Sequence, residues 1–96
     1  MITTAEIVGL LDEAIKSFGE YQLHDKGASE VMDVDQIADK IKDMTAESAT
    51  QVLEEVCDQK GENGEALVSE IISNLDDAES EWFDKILESE KLSQFY

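Results

Sequence analysis

The chain carries one histidine, His24, and one cysteine, Cys57, beside 24 aspartates and glutamates, and these residue types bound the chemistry open to it. Nucleophilic catalysis needs a nucleophile held against a base. Cys57 follows Leu53 by four residues on the apolar side of a helical pattern, so it reads as a buried structural thiol. His24 falls in "GEYQLHDKGASEVM", the least regular stretch, and reads as a surface or locally satisfied residue. Carboxylate pairs are everywhere, but no aromatic cleft or glycine-rich loop would desolvate one of them for acid–base work. The nearest approach to a calcium loop, "DQKGENGEALVS" from Asp58 to Ser69, has Lys60 at its third position, Asn63 where glycine is required and Ser69 in place of the bidentate glutamate. Zinc has too few ligands in one cysteine and one histidine. The expectation is a protein with no catalytic residues, no metal and no cofactor, and therefore not an enzyme.

The carboxylates themselves are the outstanding feature. Against them stand 7 basic residues, all lysine, leaving a formal net charge of −17. Without a single arginine fork, and with this sign of charge, direct binding to nucleic acid or to an anionic membrane is excluded as an expectation. A basic protein is the partner such a surface would attract. The start, "MITTAEIVGL", carries Glu6 and no basic residue, unlike a secretory signal, and the lone cysteine suits a reducing, cytoplasmic setting.

The elements that must position these residues are helical. Proline is absent, and the apolar residues recur with a period near 3.6, so the spacing predicts an all-α fold: a compact bundle of about five short amphipathic helices in one domain over residues 1–96. The first helix is predicted over Thr4–Phe18, capped by Thr3 with Glu6 three residues on, with Ile7, Val8, Leu11, Ala14, Ile15 and Phe18 inward and Gly19 as the stop. Residues 19–32 read as a connection holding at most a short helical turn. A second helix, capped at Asp33 or Asp35, buries Ile37, Ala38, Ile41 and Met44. Thr45 caps a third, which buries Ala49, Val52, Leu53 and Val56 and ends at Gly61. Asn63 caps a fourth with Leu67, Val68, Ile71, Ile72 and Leu75, and Asp76 or Asp77 caps the fifth. A weak internal echo pairs Ile41 with Ile72, Met44 with Leu75, Val52 with Trp82 and Leu53 with Phe83, which would also suit stacked helical hairpins.

On the last helix, Trp82, Phe83, Ile86 and Leu87 centre on one side, whereas Asp77, Glu81, Asp84 and Glu88 centre about 200° away at 100° per residue. The tryptophan is a core residue on this reading, and the acids form a solvated stripe. Like charges also recur four apart at Asp35/Asp39, Asp39/Asp43, Glu54/Asp58, Asp77/Glu81 and Asp84/Glu88. Each such pair costs a few tenths of a kcal/mol, and solubility needs a net charge of only ~2–8. The excess points to a use. The partner-binding candidates are Asp77, Glu81, Asp84 and Glu88, then Asp35, Asp39 and Asp43, or Glu54 and Asp58, depending on which helices are neighbours.

In size, charge and helical pattern the chain is similar to small acidic inhibitor proteins, namely immunity and antitoxin proteins that neutralise basic nucleases and the nucleic-acid mimics of phages. The resemblance rests on no motif, and it implies occupancy of a basic, nucleic-acid-binding surface on a partner such as a nuclease or toxin. Two alternatives compete. A helical adaptor or structural subunit would bind through an apolar groove, with Leu23, Val31, Met32, Phe95 and Tyr96 as the residues to watch. A protein of a salt-adapted proteome would carry its charge for solvation alone.

Overall fold

A computed structural model describes all of residues 1–96 and contains helices only. Eight are present: α1 (Thr4–Phe18), α2 (Glu20–Lys26), α3 (Ala28–Val31), α4 (Val34–Lys42), α5 (Ala46–Lys60), α6 (Glu62–Ser73), α7 (Ser80–Leu87) and α8 (Glu90–Ser93). The all-α expectation holds, while the number of helices exceeds the expected five. The two fifteen-residue helices are the longest, and no helix is long and apolar enough to cross a membrane.

Local capping chemistry sets most boundaries. The Thr3 hydroxyl accepts from the Glu6 amide at 3.2 Å and donates to the Glu6 carboxylate, opening α1 where the sequence places it. Gly19 ends it with φ 86°, a backbone state that side chains other than hydrogen resist. Asp33 and Thr45 likewise cap α4 and α5 by accepting from Gln36 and Ser48.

Three expectations are corrected, and the tail adds a helix that the sequence did not announce. Residues 19–32 are not a mere connection, because α2 and α3 form there, broken from each other at Gly27 (φ 97°). Gly61, not Asn63, precedes α6; Asn63 lies inside the helix, and its side chain bonds to α2 instead. Asp76 and Asp77 lie in the turn after α6, and α7 begins at Ser80 with no side-chain cap. The tail forms α8, capped by Ser89, which accepts from the Leu92 amide.

Packing follows the apolar stripes. α6 is the central helix, lying against α5, α4, α1, α2 and α3, while α7 and α8 pack on α5 and on each other. Consecutive helices α4 and α5 do not run along each other, so the stacked-hairpin alternative does not describe this packing. The internal echo survives only as burial: Ile41, Ile72, Met44, Leu75, Leu53 and Phe83 are all buried, and Val52 and Trp82 are both half-buried. One core of 23 residues results, with no charged side chain inside it. Phe18 is the exception within the α1 stripe. Its angle is right, but it sits on the last residue of the helix, where the chain turns away, and it stays 55% exposed.

Candidate functional site

The half-buried Trp82 holds the inner side of α7, its indole N–H donating to the Met44 carbonyl at 2.8 Å, while Phe83 and Ile86 enter the core. Glu81, Asp84 and Glu88 therefore face outward, all exposed. This agrees with the core face and acid face read from the sequence, although Asp77 lies before the helix rather than on it.

Each end of α7 meets further carboxylates. At its entry, Asp77 shares a shallow cleft with Asp35 and Asp39 of α4, closed by Lys42, whose ammonium lies 2.6 Å from Asp77 and 3.9 Å from Asp39. At its exit, Glu88 shares a second cleft with Glu47 and Thr50 of α5 and with Lys85. The strip thus holds seven carboxylates, Asp35, Asp39, Asp77, Glu81, Asp84, Glu88 and Glu47, and two lysines. The hydrogen bond from Lys42 lowers the pKa of Asp77 from its ordinary 3.8, and the same bond raises that of Lys42 from 10.5. Asp77 remains charged and exposed, so the pair leaves the cleft net negative.

Glu54 and Asp58 have other partners. Glu54 accepts from the Ser89 hydroxyl at 2.5 Å, and Asp58 pairs with Lys91, whose pKa is raised by that hydrogen bond. These two carboxylates tie α8 to α5. Asp43 is exposed without a partner at the C-terminal end of α4, next to the carbonyl that Trp82 holds. Glu47 had no signal in the sequence, since only the contact of α5 with α7 brings it to Glu88. Asp12 on α1 meets Lys60 at 2.5 Å, because α1 crosses α5 there.

Carboxylates outside the strip are numerous, and every one of the eight helices carries at least one exposed acid. The strip is one place where carboxylates of neighbouring elements meet. With extents of 36 × 24 × 23 Å, the −17 charge amounts to about one per 2 Å along the long axis, a density comparable to the ~1.7 Å spacing of duplex DNA.

His24 and Cys57 have different surroundings, the first exposed and the second buried. The His24 ring meets the Asn63 carboxamide oxygen at 2.6 Å, so its Nε2 donates, and the Asn63 amide donates in turn to Glu20 at 3.3 Å. Cys57 is buried, and desolvation pushes its pKa up to about 11. No three histidine, cysteine or acidic side chains come together as a metal site, and the calcium-like segment is not a loop but the end of α5 and most of α6.

Among the residues watched for an adaptor, Leu23 is 1% exposed and belongs to the core. Phe95 is half-buried, and Tyr96, although largely exposed, sets its ring edge-on to Phe83 with centroids 5.0 Å apart. Val31 and Met32 are half-buried at the rim of a groove beside α1. Compared with protein-family models, with curated proteins and with solved structures, the chain matches none.

Proposed function

We propose that this chain is a non-enzymatic acidic binding protein that occupies a basic, nucleic-acid-binding surface on a partner protein, as an immunity protein, antitoxin or phage-type nucleic-acid mimic would. The observation that carries the reading is the strip along α7, where Glu81 and Asp84 stand free between two carboxylate clefts. Such a surface acts by displacement. Its charges meet the cations that would otherwise meet phosphates, and the long-range field speeds encounter at low salt. Because exposed charges are screened beyond ~8–10 Å near physiological ionic strength, association weakens steeply as salt rises.

The test is affinity capture from the native host with elution by salt, followed by binding measurements on each purified captured protein. The reading expects a basic nuclease or other nucleic-acid enzyme, bound in competition with its own nucleic acid. The double variant Glu81→Lys, Asp84→Lys should weaken that binding at least tenfold and leave the melting curve intact, both side chains being exposed. Undiminished binding of the double variant, or capture of acidic proteins alone, overturns the proposal.

A further inference from the structure

α1 and α4 both lie on α6 and scarcely touch each other, and the space between them is an open groove. Its apolar lining comes from Leu10, Ala14 and Phe18 on α1, Val31 and Met32 around the end of α3, and Ile37 on α4. Leu10 is 47% exposed and Phe18 55%, although both are large apolar side chains on an ordered helix. They lie eight residues apart on one face with the buried Ala14 between them, so the two exposed side chains stand two helical turns, about 12 Å, from each other. The groove is open to solvent and holds about 270 Å³, room for a few anchoring side chains.

We infer that this groove docks an amphipathic helix from another protein, one that carries basic residues beside its apolar stripe. The form of the occupant follows from the walls. They are helices whose backbone groups are already bonded, which leaves no strand edge to extend, whereas a helix can set anchors three or four residues apart between two other helices. Its charge follows from the rim. Glu13 and Asp33 line the groove and no lysine does; Glu13 is exposed without a partner, and Asp33 spends one oxygen on the Gln36 amide. The same charges argue against a second copy of this chain, which would bring two more rim acids and another −17 to the contact. This surface shares no residue with the α7 strip, and the inference does not depend on the function proposed for that strip.

The experiment titrates the ¹⁵N-labelled full chain with a designed 18-residue helical peptide that has leucines on one face and lysines flanking them. A scrambled peptide of the same composition and a leucine–glutamate version serve as controls. The expected result is saturable binding of the first peptide, with amide shifts centred on Leu10, Phe18, Val31, Met32 and Ile37. The Phe18→Ser variant should bind about tenfold more weakly, and Glu13→Lys should bind several-fold more weakly. Both positions are exposed, so each variant should retain the native spectrum. The double variant Glu81→Lys, Asp84→Lys should keep its groove binding within about twofold, which separates this site from the acidic strip. Equal binding of the scrambled peptide, or shifts centred on α7, overturns the inference. So does preference for the glutamate peptide, or self-association through Phe18 in sedimentation of the free chain.

Discussion

The indole N–H of Trp82 donates to the backbone carbonyl of Met44 across 38 positions of chain, at 2.8 Å. That carbonyl lies between α4 and α5, and no backbone N–H reaches it. One side chain thus fixes α7 to the α4–α5 corner and, by doing so, aims Glu81 and Asp84 outward. Trp82→Phe keeps an aromatic ring but leaves the carbonyl without its partner, which should cost about 1–3 kcal/mol in urea unfolding. An unchanged midpoint would mean that water serves the carbonyl as well as the indole does.

Glu70 does for α3 what a local cap does for other helices. Gly27 has no side chain to offer, and the Glu70 carboxylate, reaching over from α6, accepts from the Ala28 and Ser29 amides and from the Ser29 hydroxyl. Glu70→Ala should destabilise the fold by about 1–2 kcal/mol and speed hydrogen exchange first at Ala28 and Ser29. Loss spread evenly over all helices, with no early exchange in α3, would contradict this assignment.

Two helical glycines should respond to alanine with opposite signs. At Gly64, where α6 crosses α5, a Cβ would collide with the Val56 carbonyl oxygen, whereas at Gly9 in α1 nothing lies within 4 Å. Alanine is the better helix former by about 1 kcal/mol, so Gly9→Ala should raise stability by ~0.5–1 kcal/mol. Gly64→Ala should lower it by about 1–3 kcal/mol, because overpacking outweighs propensity. Thermal melts of the two variants against the parent read both signs.

Burial raises the Cys57 pKa from its ordinary 9.0 to about 11, with the carboxylate of Glu65 adding to the effect. The folded state then holds the thiol proton that the unfolded state releases between those values. Stability from this source is complete below about pH 9 and is lost as pH rises toward 11. Cys57→Ala should flatten that alkaline decline relative to the parent, and a thiol-reactive disulfide reagent at pH 8 should label the native chain far more slowly than the chain in urea. Fast native labelling would show the thiol to be accessible after all.

Capping and periodicity are short-range, and the chain declares them without reference to its partners. Thr3 with Glu6, Asp33, Thr45, Gly19 and Gly61 mark helix ends, and the inward faces of α1, α4, α5, α6 and α7 follow from apolar spacing. Net charge is legible in the same way. What lies beyond the sequence is every relation whose two members are far apart along it. α2 and α3 hide in a mixed stretch because their stability comes from outside, through Leu23 and Ala28 in the core and the carboxylate of Glu70. Asn63 reads as a cap by residue type, yet its carboxamide is drawn to His24 and Glu20.

The same division runs through the acidic surface. That Glu81, Asp84 and Glu88 face water is a matter of helical angle, and the sequence alone determines it. That Asp35 and Asp39 gather beside Asp77, that Glu47 joins Glu88, and that Glu54 and Asp58 are taken by Ser89 and Lys91, only the packing of α4, α5, α7 and α8 decides. Helix faces are set by bonds a few residues long, whereas neighbours are set by which apolar faces find each other when the chain collapses, and like charges have no say in that choice beyond staying outside.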